Sequence, residues 1–464
     1  MPREPMPDLV VLLPGICGSA LRKDGRDLWA ISGDAASRLL FSLGRSLGDL
    51  RLTDDPADVD DLGDGITADR LIADLHLIPY LWKIDGYTKV ADTLKATFEV
   101  TPGRNYFEFP YDWRRDNRVA ARRLQRESRR WLADWRQSSG NADAKLILIG
   151  HSMGGVVSRY FLECLDGWRE CRALVTFGTP YLGALNALDF LANGMRKGPA
   201  GVVDLSGLIR SLTSVYQLLP VYDCYDPGDG TLVTVGKTTG VPNVDAGRAA
   251  AAYAFHREIA DAVARHRQDD EYVRQGYKIF PIVGTHQPTQ QSARRTATGV
   301  EMAQALAGRD DGGDGTVPRV SATPVELQQL GREMYAATRH ASLQNADAVL
   351  AQLHGVITGL SLSVPKPFPV RLDVVRLGLD LDDAYWTDEP VEARVRGRAG
   401  EDVVVTVSSA ATGAQVAARP IALQDAPWTP APFSPLPAGT YRITVSGHER
   451  VEPVADIFAV FEHR

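Results

Sequence analysis

The pentapeptide Gly150-His151-Ser152-Met153-Gly154 lies between an apolar run, Lys145–Ile149, and a segment, Val156–Leu165, whose apolar residues recur at three and four positions. A serine with glycine two residues to either side, between a strand pattern and a helix pattern, predicts a sharp strand-to-helix turn, because only small neighbours let the backbone fold so tightly. The turn lifts the hydroxyl above the end of a sheet. It also sets the serine at a helix N-terminus, where unpaired amides and the helix dipole favour an oxyanion. Ser152 is therefore the candidate nucleophile. A second match to the same spacing, Gly44-Arg45-Ser46-Leu47-Gly48, runs into Asp49-Leu-Arg-Leu-Thr-Asp-Asp-Pro56 with no amphipathic helix, so Ser46 reads as a turn serine.

Such a turn requires a sheet with helices against it, and the chain supplies both. Apolar runs bounded by turn residues occur at Leu9–Leu13, Tyr106–Phe109, Leu146–Ile149, Ala173–Phe177 and Lys278–Val283. Between them, Tyr87–Phe98, Val119–Trp135 and Val156–Leu165 carry helical periodicity. The pattern predicts an α/β domain, residues 1–363, with a mostly parallel sheet covered on both faces. Two stretches interrupt it: residues 22–81 read as a cap, and residues 185–276 as a partly helical lid insertion, since a structureless loop of that length is improbable inside a domain. Three prolines in Pro365-Lys-Pro-Phe-Pro369 end the pattern and mark a linker over 364–370. Beyond it, short alternating runs at Glu392–Val395, Val403–Ser408, Gln415–Ala418, Tyr441–Val445 and Ala455–Phe461 predict an all-β immunoglobulin-like sandwich over 371–464.

Composition removes several classes of function. A formal charge of −7 on 464 residues creates no field attracting nucleic acid, so no nucleic-acid partner is expected. Arg122, Arg123, Arg126, Arg129 and Arg130 interleave with Leu124, Trp131 and Leu132, which is the solvated face of a helix. The four cysteines lack CxxC spacing and the density of a disulfide framework, and neither a metal site nor a cofactor is implied. No run of about 18 apolar residues suggests a membrane span, and the apolar run near the N-terminus is too short for a signal segment, so a cytoplasmic protein with at most peripheral membrane contact is the expectation.

A nucleophilic serine on this kind of sheet takes an acid and then a histidine, both later in the chain. For the acid, Gly312-Gly313-Asp314-Gly315-Thr316 competes with Asp229, in the similar turn Pro227–Thr231, and with Asp310 and Asp311; Asp314 is preferred because it follows the strand Lys278–Val283. The EF-hand ligand spacing that would make either loop a calcium site is missing. For the base, the choice is His340 or His354. His340 is preferred, since it lies between the extended Glu333–Thr338 and the helical Ala341–Leu350. The oxyanion donors are assigned to the backbone amides of Met153 and Ile16, the latter in the glycine-rich turn Pro14–Ser19, with Cys17 as the alternative to Ile16.

Leu13-Pro-Gly-Ile-Cys-Gly-Ser19, Pro110-Tyr-Asp-Trp-Arg114, Gly150-His-Ser-Met-Gly-Gly155 and Gly313-Asp-Gly-Thr-Val-Pro318 followed by His340 together resemble the lecithin:cholesterol acyltransferase family of the α/β-hydrolase superfamily, which includes lysosomal phospholipase/acyltransferases. The resemblance implies a triad of Ser152, Asp314 and His340 with oxyanion amides at Ile16 and Met153. Phe177-Gly-Thr-Pro-Tyr-Leu-Gly183 resembles the family's loop near the acyl site. Residues assigned to the substrate side are Cys17, His151, Tyr181 and Trp113, although His151 also reads as a packing residue behind the nucleophile, and the Asp112/Arg114 pair as a loop brace.

The expected activity is serine-dependent hydrolysis of esters, of a lipid or phospholipid class, through an acyl-enzyme. The alternatives are transfer of the acyl group to an alcohol and, in a different class, an inactive module whose sandwich recruits a protein partner. No triad candidate follows the linker, so a chain ending near Leu362 is expected to keep turnover on a small ester.

Overall fold

A computed structural model describes residues 2–29, 48–73, 76–78, 82–197, 203–328, 333–361, 375–448 and 450–462. The decoy Ser46 and the proline linker lie outside the described residues.

Six strands form the central sheet: β1 (Leu9–Leu13), β2 (Tyr106–Glu108), β3 (Leu146–His151), β4 (Cys171–Phe177), β5 (Lys278–Gly284) and β6 (Met334–Ala336). Their spatial order is β6-β5-β4-β3-β1-β2, and every pairing is parallel. β1 and β3 are buried at every position, which explains the unbroken apolar runs Leu9–Leu13 and Leu146–Ile149: helices cover both faces, so no residue needs to face water. The longer helices among the described residues are α1 (Thr88–Thr97), α2 (Asn117–Ser139), α3 (Met153–Cys164), α4 (Leu185–Ala192), α5 (Ala246–His266) and α6 (Asp347–Ser361). α3 packs between α2 and α5. The Asp116 side chain accepts from the Arg118 amide and starts α2 two residues before the first periodic apolar position. Along α2 the arginines are a solvated face: Arg122 and Arg126 reach Asp60, and Arg123 pairs with Glu127.

The cap region, which has no strong periodicity, contains an antiparallel sheet of Ser19–Lys23, Arg26–Trp29 and Ile66–Leu71. The lid region is partly helical, with α4 and α5 its longest helices, and it also lends Tyr225–Asp226 to a small sheet with Ser292–Arg295 and Val300–Ala303.

After the linker come β7 (Gly378–Asp380), β8 (Ala384–Trp386), β9 (Val391–Arg396), β10 (Asp402–Ser409), β11 (Gln415–Ala422), β12 (Thr429–Phe433), β13 (Gly439–Gly447) and β14 (Val454–Phe461). They form two sheets, β7-β9-β12 and β8-β14-β13-β10-β11. Alternate residues from both, such as Val391, Val395, Val405 and Ile443, make a separate apolar core. β12 is absent from the strand pattern read in the sequence because it contains Pro430 and Pro432. Both point outward from an edge strand, where the missing N–H removes no ladder hydrogen bond.

Candidate active site

Ser152 occupies the predicted turn. It follows β3, caps the N-terminus of α3, and holds φ 52° and ψ −124°, a strained conformation for a residue with a side chain. The flanking glycines are required by contact. A Cβ on Gly150 would lie 2.7 Å from the Gly155 nitrogen, and one on Gly154 would lie 2.5 Å from the Pro14 carbonyl oxygen. The Ser152 amide donates to the Phe177 carbonyl on β4 at 2.9 Å, anchoring the turn to the sheet.

The tertiary fold then brings three distant residues into a line. His340 Nε2 lies 2.9 Å from Ser152 Oγ, and His340 Nδ1 lies 2.7 Å from Asp314 Oδ2. The other Asp314 oxygen accepts the amides of Thr316 at 3.0 Å and Val317 at 2.7 Å, so this carboxylate, only 1% exposed, is fully engaged as an acceptor. Since an ionised carboxylate only accepts, Nδ1 of His340 carries the proton and Nε2 is free to accept from the serine hydroxyl. The competing acids are elsewhere. Asp310 accepts from Gln291 and the Gly312 amide, Asp311 pairs with Arg309, and Asp229 accepts from the Thr231 amide in an exposed turn. His354 bonds Glu4 on the far side of the domain.

His151 sits beside this line and organises it. Its Nε2 is 3.2 Å from the His340 carbonyl oxygen and its Nδ1 is 2.8 Å from the Tyr87 hydroxyl. Burial, reinforced by the neighbouring His340, pushes its pKa down to about 3, so the ring is neutral. A carbonyl only accepts; Nε2 therefore carries the proton, Nδ1 accepts, and the Tyr87 hydroxyl donates to it. The same hydroxyl oxygen accepts the Gly15 amide at 2.8 Å. One chain of hydrogen bonds thus joins the histidine loop to the glycine-rich turn after β1. Tyr87 could not be found from the sequence, where it appears only as the beginning of a helical segment.

A cavity of about 220 Å³ opens over Ser152. Ile16, Ala184, Ala187, Phe190, Val215 and Leu218 give it an apolar wall, largely from the lid. The polar wall comes from Thr316 and Arg339 beside Asp314 and His340, and from Asp383 and Asp456 of the sandwich. Among the residues assigned to substrate, His151 lines this cavity, whereas Cys17, Tyr181 and Trp113 do not. The Cys17 thiol is fully buried, which pushes its pKa well up, and its carbonyl accepts the Trp29 indole. The Tyr181 hydroxyl is within 2.8 Å of Thr176. Trp113 donates to the Ser19 carbonyl at 3.1 Å, while Tyr111 donates to the Pro14 carbonyl at 2.8 Å. The Pro110–Arg114 segment thereby braces the turn that contains Ile16, and Arg114 locks its own end by pairing with Asp112 and Asp64. Met153 is buried; as the first residue of α3, its amide has no acceptor within the helix.

Among the described residues no group of three or more His, Cys, Asp or Glu side chains is arranged to hold a metal ion, and no helix is long and apolar enough to cross a membrane.

Residues 71–246 match the family model of lecithin:cholesterol acyltransferase. No curated protein matches the chain. Among solved structures, similarity is found to a Bacillus licheniformis lipase in its mature form, at 14% identity and TM-score 0.31 over 77% of this chain and 96% of that one. It is also found to a phospholipase from Legionella pneumophila, at 9% identity and TM-score 0.26 over 98% and 92% of the two chains. A CARDB domain from Pyrococcus furiosus is matched at 13% identity and TM-score 0.16 over 20% of this chain and all of that domain. The family match spans the segment that carries the serine turn, and that turn sits on an all-parallel central sheet: the fold is of the α/β-hydrolase kind, and residues 71–246 are similar to the lecithin:cholesterol acyltransferase family.

Proposed function

We propose that the protein is a serine-dependent acyl hydrolase acting on ester substrates of lipid type through an acyl-enzyme. The observation that carries this reading is the continuous line from Ser152 Oγ through the His340 ring to the Asp314 carboxylate, at 2.9 and 2.7 Å. In it, His340 takes the serine proton as Oγ attacks the ester carbonyl. The imidazolium that forms is balanced by Asp314, whose remaining acceptor capacity is filled by two amides and does not compete. The amides of Ile16 and Met153 take the oxyanion, and collapse of the intermediate expels the alcohol with the proton returned by His340. Water then attacks the acyl carbonyl and gives a proton to His340, and collapse of the second intermediate breaks the acyl–Oγ bond, returns that proton to Ser152 Oγ and releases the acid. The apolar lid wall suits an acyl chain, and the family match supports a lipid ester.

An alcohol is chemically equivalent to water in the second half, and the matched family is named for an acyl transfer. Hydrolysis is preferred because nothing among the residues lining the cavity marks an acceptor site. A fluorophosphonate probe should label wild-type protein and leave Ser152→Ala unlabelled. Incubation with an ester and rising alcohol should release mainly free acid at modest alcohol concentration. New ester dominating at low concentration of one alcohol establishes the transferase instead, and an unreactive Ser152 establishes an inactive module.

A further inference from the structure

All three triad residues precede the linker, so the sandwich looks separable in the sequence. The seam between the two parts says otherwise. Arg339, the residue immediately before His340, places Nε 2.9 Å from Asp456 Oδ2 on β14, an aspartate only 1% exposed. The residue immediately after is held from the other side: the Ala341 carbonyl accepts the Asp85 amide at 3.0 Å. Asp85 is in turn gripped by both terminal nitrogens of Arg442 on β13, one of them at 2.9 Å from Asp85 Oδ2. Arg442 and Asp456 lie on neighbouring paired strands, in registers one residue apart. That one-residue offset sends the two side chains to opposite faces of the sheet, so a cation and an anion of the sandwich meet an anion and a cation on either side of the catalytic histidine.

The acid loop has its own tie. Gln287 is completely buried, and its amide donates to the Gly313 carbonyl at 3.1 Å. Its side chain reaches across the seam, accepting the Leu379 amide at 3.1 Å and donating to the Leu377 carbonyl at 3.3 Å, so a side-chain amide pairs with the sandwich backbone as a neighbouring strand does. Asp456, Asp85 and Gln287 are too buried to be incidental surface contacts, since a buried charge or amide persists only where it is paired.

We propose that the C-terminal sandwich is a working part of the active site, in which Asp456, Arg442 and the Leu377–Leu379 backbone are positioning groups that hold the base and acid loops in register with Ser152. None of them reaches the reacting atoms; they act through Arg339, Asp85 and Gln287. The inference rests on the reading of Ser152, His340 and Asp314 as the triad. Its consequence is that a chain ending near Leu362 should lose small-ester turnover, the opposite of the expectation from the sequence. A histidine loop displaced by about 1 Å is enough to reduce the rate about 100-fold.

The test uses the full chain with Asp456→Asn, Arg442→Gln and Arg442→Lys, and His448→Gln as a control, because His448 pairs with Glu401 inside the sandwich away from the seam. Two readouts are taken. One is hydrogen exchange of the peptide covering residues 338–346, which needs no reaction; the other is kcat and KM on a soluble ester with the rate of fluorophosphonate labelling. Asp456→Asn and Arg442→Gln should raise exchange in that peptide, and lower kcat and labelling at least tenfold with KM changed less than threefold. Arg442→Lys should recover most of the loss and His448→Gln should match wild type. Arg442 is partly exposed, so its variants report even if Asp456→Asn fails to fold. Wild-type exchange and wild-type kcat in both seam variants overturn the proposal. If wild-type protein does not label at all, the hydrolase reading has failed, and the exchange readout alone still decides whether the sandwich holds the loop.

Discussion

His340 is bonded to Asp314 twice: its ring Nδ1 lies 2.7 Å from the carboxylate, and its backbone amide donates to the Asp314 carbonyl at 2.8 Å. One aspartate therefore sets the ring tautomer and also the path of the loop that carries the ring. Asp314→Asn should cost about four orders of magnitude in kcat, because the amide no longer enforces the Nδ1 proton. Ser152→Ala and His340→Ala should lose a similar factor, and combining any two should add little, since the three act as one unit. Asp310→Asn and Asp311→Asn should remain active; the acid assignment fails if their losses exceed that of Asp314→Asn.

Tyr87→Phe removes the hydroxyl that joins Gly15 to His151 and leaves the ring in place. The Gly15 amide and His151 Nδ1 then lose a shared partner, and the turn bearing Ile16 loosens. Turnover should fall about tenfold, equivalent to about 1.4 kcal/mol of transition-state stabilisation, with KM little changed. Steady-state kinetics on a soluble ester measures it, and an unaltered kcat shows that the turn is rigid without this bond.

Stability should depend on pH between about 6.5 and 3. Burial holds His151 at a pKa of about 3 in the folded chain, against an ordinary 6.5, and moves His256 and His286 in the same direction. In that window the unfolded chain binds protons that the folded chain does not. The stabilisation is therefore fully present above pH 6.5 and is lost as pH falls toward the folded values, at no more than about 1.4 kcal/mol per pH unit for each group. Thermal midpoints from pH 8 to 5 should be flat and then decline below 6.5, and His151→Gln should show a shallower decline. A wild-type midpoint unchanged down to pH 5 contradicts the neutral, buried state of these rings.

The apolar wall predicts how acyl preference responds to volume. Ala187→Leu narrows the cavity over Ser152 and should shift preference toward shorter chains. Phe190→Ala widens it and should admit longer ones. Changes of about tenfold in the ratio of kcat/KM between chain lengths are expected, since a methylene in an apolar pocket is worth about 1–3 kcal/mol. If neither variant alters the ratio, the acyl chain does not lie against the lid.

Local pattern determined much of this molecule. The unbroken apolar runs of β1 and β3 and the glycine spacing around Ser152 specify a buried parallel sheet and a strained turn, because both are consequences of near-neighbour sterics and burial. The order of strands after Ser152 separated Asp314 from Asp229 and brought His340 into consideration. What only the tertiary structure decided depends on groups far apart in the chain. Tyr87 meets His151 across 64 positions, and Arg442 meets Asp85 across 357. No periodicity relates such pairs, and each residue alone resembles an ordinary surface or core position. Cys17, Tyr181 and Trp113 went the opposite way: their motifs lie near the site, but their side chains point into the packing that supports it. The sandwich is the largest instance. Its strand pattern showed a domain with its own core, and only the packed seam revealed that Asp456 pairs beside the histidine, because a buried ion pair is selected by three-dimensional proximity and leaves no trace in local spacing.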